Sequence, residues 1–397
     1  MTNLGWAQKR LRELAAVVAV VGYGAIAAPA LAQDGPWTLE AAYVVDAIGP
    51  LAGDAPGTGR VLDNLDLVAD LDLGEAWGWQ GATLHGYLLS NQGGAPNDVA
   101  GTLQGVDNIE VGRQGVRLYE LWIDARVGAR TSLLAGLYDL NSEFYANDAS
   151  GLLINPSFGI GSELAATGPN GPSIFPSTAL ALRLNHEFDG GYARVALLNA
   201  HAGVPGDPDG VDTEFDHGAL LIGEAGVDGG IGSLAIGLWR YTDEQDDIRD
   251  ITPAGDPVKR TAQGGYLLGE RQITGEDAGR GVKGFIRLGF SEGKTSPFTG
   301  GWQAGVLVAR VFPGRPESTF SVGVQQGLLA SRKRDLLATG GISPSRAESG
   351  LEITYADRLS PRVSIQPDLQ VIFDPGGDGD ADALIVAGVR LTIELSP

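Results

Sequence analysis

The chain has 397 residues, 60 of them Gly and none Cys, and 28 Lys and Arg against 49 Asp and Glu give it a formal net charge of −21. That charge excludes nucleic acid as a partner, and the missing Cys excludes disulfides, thiolate chemistry and a Cys-ligated structural zinc. The glycines follow no G-X-Y period, so collagen is excluded, and a mean hydropathy of +0.01 fits a transmembrane β-barrel or a secreted β-sandwich, whose polar and apolar side chains alternate and cancel.

The first 32 residues read as a secretory leader. Lys9, Arg10 and Arg12 precede an apolar stretch from Leu14, and Ala30-Leu31-Ala32 ends it with a small-x-small cleavage pattern before Gln33. Gly22, Gly24 and Pro29 interrupt the apolar run, which argues against a membrane anchor. The expected organisation is a leader at 1–32 and a single domain at 33–397. Beyond the leader no apolar run of about 18 residues occurs, so no transmembrane helix is expected. Export without Cys suits a bacterial envelope.

The rest of the chain reads as a succession of strands. Residues 37–46 place Leu39, Ala41, Tyr43 and Val45 on one face, and a Gly/Pro-rich loop follows at 47–59. In 61–73, Leu65, Leu67, Ala69, Leu71 and Leu73 share a face, opposite Asn64, Asp66, Val68, Asp70 and Asp72. Three acids on one face of one strand need water there, which a water-filled lumen supplies and a dry sandwich core does not. A turn at 74–78 leads to a strand at 79–90 and a long loop at 91–116. Residues 117–140 form a hairpin about 128–130. Tyr119, Leu121, Ile123, Ala125 and Val127 lie on one side of its first strand, with Glu120, Trp122, Asp124 and Arg126 on the other, and Gly136 sits in the return strand. The irregular segment 141–176 is long enough to be a functional connection.

Strands at 177–188 and 191–200 meet at Asp189–Gly190; strands at 217–227 and 231–241 follow, then an acidic loop at 242–260. Strands at 262–273 and 282–290 flank a turn at 274–281, and strands at 301–312 and 318–330 flank 313–317. After a loop at 331–348, strands at 349–358 and 362–373 flank 359–361. The final strand, 383–395, turns Ile385, Ala387, Val389, Leu391, Ile393 and Leu395 one way and Val386, Gly388, Arg390, Thr392 and Glu394 the other. Strand 362–373 does the same with Val363, Ile365, Leu369, Val371 and Phe373 against Arg362, Ser364, Gln366, Asp368 and Gln370. Pro367, on the apolar face, is unexpected because it cannot donate to a ladder.

Sixteen strands with alternating long and short connections describe an up-and-down antiparallel transmembrane β-barrel of the all-β class, with short periplasmic turns and long extracellular loops. Trp77, Trp79, Tyr241, Phe312, Phe320 and Tyr355 fall near strand ends, where an aromatic girdle is expected.

Three segments resemble the carbohydrate-selective outer-membrane porins: RLYELWIDARVGARTSLLAGLYDLNSEF at 117–144 with GLLINPSFG at 151–159, LEITYADRLSPRVSIQPDLQVIFDPGG at 351–377 with ALIVAGVRL at 383–391, and between them GGYLLGERQI and RGVKGFIRLGFSEG. The resemblance spans about residues 38–395. It implies a monomeric sixteen-stranded barrel in the outer membrane of a Gram-negative bacterium, passing glucose-like sugars by diffusion without a cofactor, while the sequence itself leaves monomer or trimer open. Its implied partners are small sugars, outer-membrane lipid and lipopolysaccharide, and the barrel-insertion machinery. Such barrels commonly end in an aromatic residue; this sequence ends Glu394-Leu395-Ser396-Pro397.

Catalytic patterns are thin. His85, His186, His201 and His217 show no H-x-x-x-H spacing, no G-x-S-x-G or P-loop occurs, and the acidic runs 207–216 and 374–382 lack EF-hand spacing and read as solvated loops. A sugar path needs aromatic faces and polar groups that bond several hydroxyls yet release them. Glu120, Trp122, Asp124 and Arg126 supply these on one strand, with Arg183, Arg194, Arg362, Asp368, Gln370 and Arg390 as further pore-lining candidates. The 141–176 segment is the candidate constriction loop, through Glu143, Phe144, Asn155 and Phe158. Two alternatives remain at this level: a polysaccharide-active β-protein and a plugged structural barrel.

Overall fold

The structure, a computed structural model, describes residues 35–397 except 56–57, 205, 208, 230–231, 276–278 and 396–397. The expected leader and its cleavage point lie outside the described residues. Among the described residues eighteen strands occur: β1 (Trp37–Ala52), β2 (Arg60–Asp72), β3 (Ala82–Gly93), β4 (Gly115–Arg126), β5 (Thr131–Tyr138), β6 (Ala179–Phe188), β7 (Gly191–Asn199), β8 (Ala219–Gly229), β9 (Gly232–Tyr241), β10 (Gln245–Ile251), β11 (Pro257–Arg260), β12 (Gln263–Thr274), β13 (Gly281–Ser291), β14 (Phe298–Ala309), β15 (Thr319–Leu329), β16 (Ala347–Ser360), β17 (Val363–Phe373) and β18 (Leu384–Glu394). Sixteen of them, β1–β9 and β12–β18, close into one antiparallel barrel in chain order, sealed by β1 on β18. Closure satisfies every ladder without a free edge, the condition for a sheet to cross a bilayer.

The distribution of side chains is inverted relative to a soluble protein. Leu67, Leu121, Leu182, Leu238, Ile286 and Leu369 point outward and are 39–60% exposed, while Arg287, Gln303, Glu352 and Gln370 point inward and are 0–1% exposed. An apolar band of this extent is stable only against acyl chains. Its rim carries exposed Trp37, Trp77, Trp79, Phe188, Phe312 and Phe373.

Several elements depart from the sequence reading. The turn before β3 is a helical turn at Leu73–Trp77. Asp72 caps it by accepting from the Gly74 and Glu75 N–H groups, and Gly78 at φ 80° ends it. Trp79 therefore precedes the strand. In β4 the pairing steps from Tyr87↔Glu120 to Leu88↔Leu118, so Tyr119 is an extra, bulged residue. It turns inward beside Glu120, where its O–H donates to Asp139 at 2.7 Å. Tyr241 is not in the girdle: it faces inward, 1% exposed, among loop side chains. Pro367 does sit in β17. The β16 ladder skips from Thr354↔Asp368 to Asp357↔Ile365 across it, because proline has no N–H to give.

The loops at 242–260 and 331–348 contain structure that strand periodicity did not reveal. The first holds the hairpin β10–β11, the second a helix at Ser331–Thr339. They are clamped together. The Arg332 guanidinium donates to both Asp247 oxygens at 2.8 and 2.9 Å and to Asp250 at 2.6 Å, and Arg249 reaches Asp335 at 2.5 Å. Burial opposes ionisation of Asp247, but the bonds from Arg332, from the Asp250 and Arg249 backbone and from Arg260 outweigh it and hold its carboxyl well below the usual range.

Candidate functional site

The connection from β5 to β6 enters the barrel instead of standing above it. Its backbone turns on short side-chain caps: Asp139 accepts from Asn141 N–H, Asn147 from Ser150 N–H and Asn155 from Ser157 N–H. These turns leave one face apolar. Leu140, Phe144, Tyr145, Ile160 and Leu164 pack on the inward Leu134, Leu198, Ile222, Trp239 and Tyr266, while Ala149, Leu153 and Phe158 pack on Phe285.

The other face is stapled to the wall by charged side chains that meet the loop's own backbone. Glu224 on β8 accepts from Tyr145 N–H at 2.9 Å, and Glu270 on β12 from Ala149 N–H at 2.7 Å. Glu352 on β16 accepts from Ile154 and Asn155 N–H. Arg287 on β13 donates to the carbonyls of Ser157 and Gly159, each at 2.9 Å, and of Tyr145 at 3.3 Å. The loop thus crosses the lumen from β5 to β13–β17. A second inward loop, between β3 and β4, buries Ala100, Val106 and Ile109 against Ile48, Leu62, Ile372, Leu384 and Val386. Glu348 accepts its Leu103 and Gln104 N–H groups.

The sequence candidates separate into groups. On β4, Glu120 accepts from the Trp122 indole at 3.1 Å and from Asp139 N–H at 3.0 Å. Trp122 stacks on His85 with centroids 4.4 Å apart at 10°, and His85 Nδ1 lies 2.8 Å from Asp70. Gly136 makes room for this arrangement on β5: at φ 145° its missing Cβ would fall 2.6 Å from Trp122 Cα. Asp124, Arg183 and Glu143 come together, with Arg183 3.3 Å from Asp124, 2.8 Å from Glu143 and 2.7 Å from the Ser132 hydroxyl. They line a polar cavity of about 440 Å³ beneath the loop, with Arg126, Asn185 and Thr83. Arg194 lies over the Tyr192 ring at 4.0 Å and donates to the Glu143 carbonyl at 2.9 Å.

The remaining candidates lie elsewhere. Gln370 meets Asn155 and the Val106 carbonyl, Arg390 meets Asp46 and Asn108, and Asp368 bonds Gln370, so these three back the inward loops. Phe144, Asn155 and Phe158 are buried between loop and wall. Arg362 is exposed in the turn before β17. Sequence reasoning passed over Asp46, His85, Glu224, Glu270, Arg287, Glu348 and Glu352. The signal for several was present as single charges at inward positions of otherwise apolar strands, such as Glu352 in LEITY and Arg287 in FIRLG.

The family model of the carbohydrate-selective porins, OprB family, matches residues 57–395. Porin B of Pseudomonas aeruginosa is 24% identical over 88% of this chain and 85% of its own length. A high-pH structure of Pseudomonas putida OprB superposes with a TM-score of 0.80 at 21% identity, covering 90% of this chain and 94% of that one. The outer-membrane channel DcaP of Acinetobacter baumannii superposes at 0.57 with 12% identity, covering 93% and 100%. The fold and family point to a channel rather than an enzyme. A closed sixteen-stranded barrel with a lipid-compatible exterior, a polar interior and this family match identifies the chain: it belongs to the carbohydrate-selective porin (OprB) family and is a sugar porin of the Gram-negative outer membrane.

Proposed function

We propose that neutral, glucose-like sugars diffuse passively between the inward β5–β6 loop and the wall formed by β2–β7. The observation that carries this reading is the composition of that wall: a Trp122–His85 stack beside Glu120 and Asp70, leading to the cavity around Asp124, Arg183 and Glu143. Aromatic faces suit the C–H faces of a pyranose, and carboxylate and guanidinium groups exchange hydrogen bonds with successive hydroxyls. Arg183 is balanced by Asp124 and Glu143, so its charge is met within the wall. A neutral polyol then meets many weak, replaceable bonds and no deep trap, the condition for selective conduction.

Glu120, Trp122, Asp124, Arg126, Glu143, Arg183 and Arg194 form the path in this reading. The solute leaves chemically unchanged, so no catalytic group takes part. The path is complete within one barrel, which serves a monomer and a trimer alike. Export by the leader at 1–32 and insertion by the barrel-insertion machinery belong to the same proposal. The test is the refolded mature protein in planar bilayers and liposomes. Glucose is expected to reduce the ion current in a saturable way and to cause faster swelling than a sugar acid of equal size. Ion conductance with no sugar-dependent block and no swelling refutes the reading, and a barrel with no conductance returns it to the plugged alternative.

A further inference from the structure

We infer that the outer surface of β9, β12 and β13 carries a binding site for one phospholipid of the periplasmic leaflet, anchored by Arg271. This rests on the outer-membrane barrel and is independent of the solute that passes inside it. β12 descends from a long loop to the short turn after Thr274, so Arg271 stands near the periplasmic rim. The ladder alternation turns Leu267, Gly269, Arg271 and Ile273 outward, opposite the inward Tyr266, Leu268, Glu270 and Gln272.

On either side of Arg271 the neighbouring strands present glycine. Gly284 of β13 is its cross-strand partner. Gly232 of β9 lies so close that a Cβ there would come within 3.0 Å of Arg271 Cα. With Gly269, these residues make a trough of about 720 Å³ floored by backbone and walled by Leu234, Ile273 and Ile286. Those walls are 59%, 57% and 50% exposed.

The trough alone fits any apolar chain; the guanidinium selects the occupant. Arg271 is exposed, faces the acyl band and makes no hydrogen bond or ion pair with any described residue. Elsewhere at the same rim the exposed Arg315 is closed by Asp357. A guanidinium beside hydrocarbon is costly unless an anion meets it, and its planar fork matches the two free oxygens of a phosphate diester. A phospholipid meets both requirements, with an acyl chain lying in the trough and its phosphate on Arg271. Lipopolysaccharide occupies the opposite leaflet.

The test is native mass spectrometry of the full mature barrel, stripped with detergent and titrated with phosphatidylethanolamine or with diacylglycerol of the same chains. Arg271→Gln removes the anchor and Gly269→Leu fills the trough. Arg240→Gln, at the other rim, is the control, and heat-modifiable migration verifies folding of each. The wild type is expected to retain one phosphatidylethanolamine. Arg271→Gln and Gly269→Leu are each expected to need about tenfold more lipid for half-occupancy, with Arg240→Gln unchanged and diacylglycerol not retained. No retention by the wild type, equal retention by Arg271→Gln, or equal retention of diacylglycerol overturns the site. Lipid-free dimers that Gly269→Leu dissociates overturn it in favour of a second copy.

Discussion

Replacing Arg287 by Met is the sharpest perturbation of the loop's attachment. The side chain is 0% exposed and Met preserves much of its apolar volume, but four donor contacts disappear. Hydrogen bonds to a charged group are each worth about 1.5–3 kcal/mol net. Counting the two 2.9 Å bonds in full and giving little weight to those at 3.3 and 3.4 Å leaves about 3–6 kcal/mol. Lumen water rehydrates the freed carbonyls once the loop lifts, which brings the loss toward about 3 kcal/mol. That is a rise of roughly a hundredfold in the undocked population. Single-channel recording reads it directly: Arg287→Met is expected to give a noisier and larger conductance, with faster proteolysis within 141–165. Arg287→Lys, which keeps the charge without the fork, falls between. Conductance, noise and proteolysis indistinguishable from wild type would refute the claim that this guanidinium holds the loop.

Three further predictions follow from the same geometry. Trp122→Ala removes the stacking face beside His85; at about 1 kcal/mol for an aromatic contact, glucose block of the current weakens about fivefold while conductance persists, and unaltered block excludes Trp122 from the path. Gly136→Ala places a Cβ 2.2 Å from the Leu121 carbonyl oxygen at φ 145°, which should cost about 2 kcal/mol or more and lower the temperature at which the heat-modifiable band unfolds; an unshifted transition contradicts the close approach. The extracellular clamp has a defined pH window. Because the folded carboxyl of Asp247 lies below its unfolded value of about 3.9, its contribution is whole above that pH and is lost as pH falls from there toward the folded value. Hydrogen-exchange protection factors in 245–260, which correct for the intrinsic slowing of exchange in acid, should therefore hold from neutrality down to about pH 5 and drop only in stronger acid, and Asp247→Asn should show the low protection already at neutral pH.

The barrel was legible because its exterior and interior impose opposite chemistry on successive residues. In β2 Asp66, Asp70 and Asp72, and in β18 Arg390, mark the wet face, and the succession of sixteen strands set the strand number. Tyr119 was misread because a bulge inserts one residue without altering composition, and an amphipathic side chain suits either face. The helix at Ser331–Thr339 escaped because it is held by Arg332 and Asp335 on Asp247, Asp250 and Arg249, contacts about eighty residues away in sequence. The same limit applied in the lumen. That 141–176 matters follows from its length, but which residues grip it does not. Glu352 meets Ile154 across 198 positions, and Asn155 proved to be an anchor rather than a constriction surface for the same reason. The inward direction of Glu120, Trp122 and Asp124 was readable because it depends only on the parity of their own strand.

The partners of the two inward loops have a consequence for the order of assembly. Residues 103–106 and 152–155 emerge early in synthesis, yet they are gripped by Glu348, Glu352, Gln366 and Gln370 on β16 and β17. Those grips cannot form until the C-terminal strands have been placed against the rest of the sheet. The last of these attachments therefore wait on the strands beside the seam of β1 and β18, so in the reading proposed above a channel fully narrowed by these loops is one whose C-terminal strands are already in place.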